Sequence, residues 1–397
     1  MIHRVSIENF YSVSERQLVE LAIPANAPDL PSFRASRSNS DKRLPVVVGF
    51  FGPNASGKST VLRAIVALAW FSSYSFKLEP TAAVPLFNPF AHQDWWNLPS
   101  KISVDFDCQM EIGGKSSIFR YELHITHAPE KSAKSVAYEA LFYAPNGRFR
   151  TVFRRENQEF SFGREFGLQA HDPRIKSIRP NASVLSTLAQ LNHTLSTNLI
   201  SAISGLQTNL QGLTRLDGNA EKTLSFYLKN PDFLARLNQE LSRLDLGLEE
   251  MKVIRGDQGP IATFRHVGLG CEIIMALESA GTQRFIQTFP LLQVALDVGG
   301  VAIIDELDTE IHPLLIPELF RWFYSADRNL KNAQLIFTAH NTAILDELEK
   351  EQVYFTEKPF GRPTRIFCAG DIQGLRRQPS LTKKYLSGEL GAVPRIG

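Results

Sequence analysis

A glycine-rich segment between residues 52 and 59 has the residue types that bind phosphate groups. It fits the pattern G-x-x-x-x-G-K-[ST], in which successive backbone N–H groups wrap the phosphates and the following helix adds a favourable dipole. Lys58 is predicted to reach the β- and γ-phosphates of a nucleotide, and Ser59 to hold Mg²⁺. The predicted phosphate-binding residues are Gly52, Pro53, Asn54, Ala55, Ser56, Gly57, Lys58, Ser59 and Thr60.

Two acids and a histidine follow apolar runs further along the chain. Asp305 and Glu306 end the run that begins at Val301, and His340 ends the run that begins at Leu335. Asp305 is predicted to accept the water shell of Mg²⁺, and Glu306 to polarise an attacking water. His340 is predicted to reach the γ-phosphate or to hold that water. The candidate catalytic residues are therefore Lys58, Glu306 and His340, and the candidate metal ligands are Ser59 and Asp305.

These residues need a sheet and a helix to position them. The apolar run at 44–51 predicts a buried strand directly before the glycine-rich segment, and residues 60–70 have the pattern of a helix packed on a sheet. Alternating strand and helix patterns return after residue 251, with strands at 301–304 and 333–337 and helices beginning at Pro313 and Thr342. The alternation predicts an α/β fold with a parallel sheet.

Two other regions interrupt this pattern. Short strand-like segments between residues 102 and 162, separated by turn signals, predict an antiparallel meander. Leucines and isoleucines at helical spacing predict a helical insertion at 183–248, with one helix beginning at Pro231. Within this insertion, one run of apolar residues repeats at helical spacing: Leu199, Ile203, Leu206, Leu210 and Leu213. The expected segments are an amino-terminal lobe at 1–182, the insertion at 183–248 and a carboxy-terminal lobe at 249–397.

The composition is that of an ordinary globular protein. The 397 residues are 43% apolar and 21% charged, with a net charge of +2, so that nucleic-acid binding is neither implied nor excluded. The sequence has no signal-peptide pattern and no apolar run of membrane-spanning length, which predicts a cytoplasmic protein without a membrane partner. The scattered Cys108, Cys271 and Cys368 are interpreted as core thiols.

Several motifs, taken in order, resemble those of a known family. GPNASGKST, LESAGTQR at 277–284, AIIDELDTEIHP at 302–313 and FTAH at 337–340 resemble the Walker A, signature, Walker B with D-loop, and H-loop motifs of ABC-type ATPases. More narrowly, they are similar to the SMC/RecF/OLD-like AAA family ATPases of bacteria, as are the segments at 7–10 and 385–394. The resemblance implies an ABC-type P-loop ATPase head with a mixed β-sheet core.

The resemblance also implies a nucleotide-dependent homodimer or higher homo-oligomer that uses ATP and Mg²⁺. Ser279 and Gly281 would contact the γ-phosphate of ATP bound to the other protomer, and Asp308 would be the D-loop residue that links the two sites. His312 and Pro313 would cap the next helix. The sequence departs from the family pattern at Tyr11, where an arginine often stands, and the Q-loop residue is not evident; Gln93 is one candidate.

Three functions are compatible with these motifs. Short members of the group resemble ATPase subunits of anti-phage abortive-infection systems, which implies an ATP-driven switch that controls an effector partner, a nuclease or toxin. The alternative is a RecF-like DNA-binding repair ATPase, supported by basic clusters near residues 34–43, 148–155 and 376–384. A third possibility is an assembly module that barely hydrolyses ATP. Trp95 and Trp96 could anchor a partner, although burial inside the fold is the simpler interpretation.

Overall fold

The structure of the chain is a computed structural model. It describes residues 1–38, 41–112, 115–127, 134–169, 171–210, 219–244, 247–309, 311, 314–359, 361–376 and 380–393. Within these ranges, none of the helices combines the length and the apolar character that a membrane-spanning helix needs.

The elements follow one another along the chain in two stretches. The first stretch contains β1 (Ile2–Glu8), β2 (Gln17–Glu20), β3 (Phe33–Ala35), β4 (Arg43–Pro45), β5 (Val47–Phe51), α1 (Lys58–Tyr74), β6 (Ser100–Ile112), β7 (Lys115–Ile125), β8 (Val136–Ala144), β9 (Arg150–Glu156) and β10 (Glu159–Phe162). The second contains α2 (Val184–Gln190), α3 (Thr194–Ile203), β11 (Leu206–Thr208), α4 (Ala220–Lys229), α5 (Pro231–Arg243), β12 (Leu248–Gly256), β13 (Gly259–His266), β14 (Ile273–Ile274), α6 (Ala280–Val298), β15 (Val301–Ile304), α7 (Leu315–Tyr324), β16 (Gln334–Thr338), β17 (Val353–Glu357), β18 (Arg365–Cys368) and α8 (Leu381–Leu386).

A six-stranded sheet carries the residues singled out above. Its order is β11-β15-β16-β5-β17-β18, and all neighbouring pairs are parallel except β17 and β18. Every residue of β5 and β16 is buried, as expected for parallel strands that are covered on both faces. The carboxyl ends of β5, β15 and β16 lie at one edge of this sheet, so that the loops after these strands meet there.

A seven-stranded antiparallel sheet packs beside the parallel one. Its order is β10-β9-β8-β7-β6-β1-β2, which confirms the predicted meander and adds β1 and β2 to it. Helix α1 contacts strands of both sheets, and this explains why buried residues occur on most of its faces. The prediction of a mixed α/β fold is therefore confirmed.

The middle of the chain differs from the sequence prediction. Helices α2 to α5 form where helices were expected, and α5 begins at Pro231 as predicted. However, the helical spacing that included Leu206 is misleading, because residues 206–208 form β11, which pairs parallel to β15 at the edge of the core sheet. The predicted Leu213 lies outside the described residues. Each of the three expected segments thus contributes at least one strand to the same sheet.

Three smaller predictions also need correction. The helix predicted from Thr342 is a short 3₁₀ helix, Thr342–Glu347, and the chain then forms the unpredicted β17. Cys108 is buried and Cys368 is half-buried, but Cys271 is exposed, so that its interpretation as a core thiol is wrong. The cap predicted from His312 and Pro313 lies outside the described residues.

Candidate functional site

The loop between β5 and α1 has a shape that requires glycine at two positions. Gly52 has a φ of +149°, and a Cβ there would lie 2.1 Å from the backbone oxygen of Thr356. Gly57 has a φ of +104°, and a Cβ there would lie 2.5 Å from Oγ1 of Thr364. Both a left-handed backbone and close packing therefore exclude side chains. The loop is held from behind by β17 and by the segment before β18, which leaves its other side open.

The Lys58 ammonium lies across this loop. Its Nζ donates to the carbonyl oxygens of Gly52, at 2.9 Å, and Pro53, at 3.1 Å. Burial lowers the pKa of Lys58, and the nearby carboxylates of Asp305, Asp308 and Glu306 oppose that shift. No carboxylate of the described residues forms an ion pair with this cation. An ammonium held by carbonyl oxygens beside glycine-rich backbone is suited to an incoming phosphate.

The residues predicted to hold Mg²⁺ are brought together by the structure. Ser59 Oγ donates to Asp305 Oδ1 at 2.8 Å, although the two residues are 246 positions apart. Thr338 Oγ1 donates to the same carboxylate oxygen at 2.6 Å and accepts a bond from the Glu306 backbone N–H at 2.7 Å. A hydroxyl and a carboxylate are the hard oxygen donors that Mg²⁺ takes from proteins, with phosphate oxygens and waters as its other ligands. The donor set therefore fits this ion.

Asn209 is a supporting residue that the sequence did not reveal. It directly follows β11, and its side-chain amide donates to the Asp305 carbonyl and accepts from the Asp305 backbone N–H, both at 2.8 Å. This two-point contact fixes the backbone of the acid at the end of β15. The available signal was a polar residue within an apolar pattern, which the helical interpretation of that pattern obscured.

Glu306 and His340 face each other at the open side of the loop. Glu306 has a φ of +52°, an uncommon left-handed conformation for a residue with a side chain. One of its carboxylate oxygens lies 3.5 Å from Nε2 of His340, and both side chains are accessible to solvent. Asp308 accepts the backbone N–H groups of His340, at 2.8 Å, and Asn341, at 2.5 Å, through a single oxygen. In this chain, Asp308 thus positions the turn that carries His340.

Lys58, Ser59, Glu306 and His340 line one cavity of about 650 Å³, a size that suits a nucleotide. Its wall combines the glycine-rich loop and α1 with the ends of β15 and β16 and with segments near residues 11 and 88. The lining residues are Tyr11, Ser12, Asn54, Ala55, Gly57, Lys58, Ser59, Thr60, Arg63, Asn88, Pro89, Ala91, Glu306, His340 and Lys358. Ser56 supports the loop from inside, with its hydroxyl 2.6 Å from that of Thr356.

The segment after β1 shapes the far wall of the cavity. Asn9 is fully buried, and its side-chain amide makes three hydrogen bonds to the backbone of residues 90–98. The backbone of Tyr11 donates to the Asn88 carbonyl at 2.9 Å. The simpler interpretation of the tryptophan pair, burial, is wrong for Trp96, which is 56% exposed on this loop. Gln93 is also exposed and does not line the cavity.

The signature residues lie outside this cavity. Ser279 caps α6 by accepting the backbone N–H of Thr282 at 3.1 Å, and Gly281 lies in the first turn of that helix. Neither residue lines the cavity of its own chain. The structure therefore brings together the residues predicted around the glycine-rich loop and leaves Ser279 and Gly281 apart from them.

Most of the described arginines in the basic clusters near residues 34–43 and 148–155 are engaged within the chain. Arg155 is fully buried, 3.4 Å from Glu139, and donates to the Ala182 carbonyl at 2.6 Å. Arg154 forms an ion pair with Glu156. In the first cluster, three arginines donate to backbone carbonyls of their own chain: Arg34, Arg37 and Arg43. The prediction that Arg155 could contact DNA is wrong, because its guanidinium has no access to solvent.

The fold and the cavity define a mixed α/β domain with a P-loop and a nucleotide-sized cavity beside it. The chain belongs to the family described as "AAA domain, putative AbiEii toxin, Type IV TA system", whose model matches residues 47–346, well over half of the sequence.

Two solved structures are similar to the chain at low sequence identity. No curated protein matches the chain. Among solved structures, the SmcHead bound to the C-winged helix domain of ScpA has a TM-score of 0.48 at 11% identity, covering 92% of this chain and 97% of the other. A Smc head domain with an extended coiled coil, bound to the C-terminal domain of ScpA derived from Pyrococcus furiosus, has a TM-score of 0.44 at 11% identity, covering 98% of each chain.

Proposed function

We propose that this protein is a Mg²⁺-dependent ATPase that dimerises around ATP and thereby controls a partner effector, a nuclease or toxin, in bacterial anti-phage defence. The observation that carries the proposal is the convergence of Lys58, Ser59, Glu306 and His340 from separate parts of the sequence on one nucleotide-sized cavity, with Asp305 hydrogen-bonded to Ser59 at its wall. The family description, which names a toxin–antitoxin system, supports the presence of an effector.

The hydrolysis step follows from the roles of these side chains. Glu306 accepts a proton from a water molecule, whose oxygen attacks the γ-phosphorus. The bond between that phosphorus and the β–γ bridging oxygen breaks, and its electron pair stays on ADP. The products are ADP, inorganic phosphate and the proton, which leaves through Glu306. His340, held 3.5 Å from Glu306, orients the water. Ser59 and Asp305 would hold Mg²⁺, which would supply charge neutralisation on the phosphate oxygens.

The dimer is the second part of the proposal. Ser279 and Gly281 open a 19-residue helix, whose free N–H groups and dipole favour an anion. Because they do not line their own cavity, they would meet the γ-phosphate held by the other protomer. ATP would then hold two heads together, and loss of the γ-phosphate would release them. The described arginines of the basic clusters near residues 34–43 and 148–155 are largely engaged within the chain, so that a DNA-repair role is not proposed.

Phosphate release and particle mass test the activity. We expect Lys58→Ala to lose ATP affinity, and Glu306→Gln to bind ATP, to hydrolyse it at least a hundredfold more slowly and to accumulate as a dimer by mass photometry. The control is Glu165→Gln, which removes an exposed carboxylate outside the cavity. Wild-type turnover in Glu306→Gln, or a monomer in every nucleotide state, would contradict the proposal.

The effector is tested in native cells. The tagged Glu306→Gln protein should co-purify the product of a neighbouring gene with ATP, and release it with ADP. Failure to recover that product in every nucleotide state would remove the effector from the proposal and leave the ATPase activity to be judged separately.

A further inference from the structure

A second cavity of about 450 Å³ adjoins the nucleotide cavity at its metal-binding end. The two cavities share Tyr11, Arg63 and Glu306 in their walls. The second cavity adds Asp305 and a side chain from the signature helix, Arg284. It therefore lies next to the place where the last phosphate of a bound nucleotide would sit.

Arg63 reaches this place from α1. It follows Ser59 by four residues, so that the two side chains lie on the same face of the helix. The Arg63 guanidinium lies over the ring of Tyr11, 5.4 Å from its centre, a cation–π contact that fixes its direction. The side chain is exposed, and it makes no hydrogen bond or ion pair with the described part of the chain. Its donors are thus available to a ligand.

Arg284 reaches the same place from α6. It is half-buried, and among the described residues it has no ion pair or hydrogen-bonding partner, although it shares a cavity with Asp305 and Glu306. Asp305 is already engaged, because its Oδ1 accepts the hydroxyls of Ser59 and Thr338. A half-buried guanidinium without an internal partner is costly unless an anion completes its hydrogen bonds.

We propose that Arg63 and Arg284 bind the γ-phosphate of ATP in their own chain and hold the inorganic phosphate after cleavage. Two guanidiniums converging on one cavity match the geometry of phosphate oxygens, which accept paired N–H donors. The inference rests on the proposed function for the position of ATP. It extends that function, because Arg284 and Ser279 lie on the same helix, α6. The start of this helix would face the ATP of the other protomer, while Arg284 would contact the ATP of its own chain.

The proposal predicts that these arginines distinguish ATP from ADP. Affinities of ADP and of the non-hydrolysable analogue AMP-PNP, both with Mg²⁺, can be measured by calorimetry for full-length Arg63→Gln and Arg284→Gln. Each variant should bind ADP within about twofold of the wild type but AMP-PNP roughly tenfold more weakly, an effect typical of losing one charge-assisted hydrogen bond. Arg284→Lys, which keeps the charge and loses the paired donors, should lose about threefold.

The matched control is Arg321→Gln, which removes an exposed arginine on α7 that is paired with Glu318 outside both cavities. It should leave both affinities unchanged. Trapping of ADP with orthovanadate should be lost in Arg284→Gln and retained in the control. The proposal would be overturned if Arg63→Gln and Arg284→Gln both showed the same ratio of AMP-PNP affinity to ADP affinity as the wild type.

This measurement needs no turnover, so that its outcome separates the two proposals. If Glu306→Gln hydrolyses ATP normally while the arginine variants lose their preference for AMP-PNP, the assigned water-activating role fails and the phosphate site stands. If the wild type hydrolyses ATP and the arginine variants keep the wild-type preference, the phosphate site fails and the ATPase stands.

Discussion

Asp308 offers a sharp test of how the site is held together. The Asp308 carboxylate accepts hydrogen bonds from the backbone N–H groups of His340 and Asn341, in the turn that carries His340. Asp308 is half-buried. Asp308→Ala removes both bonds without touching His340 itself. The turn then loses the support that keeps the imidazole beside Glu306. We therefore expect the variant to fold and to bind ATP, but to hydrolyse it slowly.

The size of the effect can be worked from these two bonds. A hydrogen bond to a charged group contributes about 1.5–3 kcal/mol, and water can replace part of that contribution at a half-buried site. A net loss of about 2 kcal/mol for the pair corresponds to a roughly thirtyfold smaller population of the aligned turn, because 1.4 kcal/mol is a factor of ten. The kcat should fall by up to that factor, with little change in KM.

A double-mutant cycle identifies the cause. If Asp308 acts through His340, then adding Asp308→Ala to a chain that already carries His340→Ala should hardly lower kcat further. The control is Asp346→Ala, because Asp346 accepts the Thr382 backbone N–H and the Ser380 hydroxyl in a segment away from the cavity. It should lower the melting temperature and spare kcat. If the losses in kcat from Asp308→Ala and His340→Ala, expressed as free energies, add up in the double variant, Asp308 does not act through His340.

Other parts of the molecule can be tested independently. Gly52→Ala should abolish nucleotide binding in calorimetry, because its Cβ would lie 2.1 Å from a backbone oxygen, whereas Gly270→Ala, with open space around it, should bind normally. Glu139→Ala leaves the Arg155 charge buried and unpaired, and should cost about 3–5 kcal/mol in urea unfolding. Burial lowers the pKa of His127 from 6.5 to about 4, so that the unfolded chain takes up a proton first as the pH falls. Stability should decline between pH 6.5 and 4, less steeply in His127→Gln.

Local patterns were enough to predict the elements that carry the candidate site. Three short, continuous apolar runs predicted the strands β5, β15 and β16. The glycine-rich segment, the two acids and the histidine each directly follow one of these runs, so that their places at the strand ends could be inferred from the adjacent residues. Parallel strands end at one edge of a sheet, which is why residues as distant as Ser59 and Asp305 could be expected to meet.

The supports of the site could not be predicted in this way. Asn209 contacts Asp305 across 96 residues, and Asn9 contacts the loop at 90–98 across more than 80. A side-chain amide that bonds to distant backbone has no periodic signature. The spacing of Leu206 also fitted a helix, and only pairing with β15 makes that segment a strand. The burial of Arg155 likewise depends on Glu139, a partner on a neighbouring strand.

The position of β11 connects the helical middle of the chain to Asp305, the proposed metal ligand. This edge strand is three residues long, and the side chain of the next residue, Asn209, bonds to both the backbone N–H and the backbone carbonyl of Asp305. A displacement of α3 that moved this strand along β15 would break both of these hydrogen bonds to the Asp305 backbone. By the same linkage, a ligand that fixes Asp305 would hold the strand and the helix before it in register. The middle of the chain is thus connected to Asp305 through one short strand and one asparagine side chain.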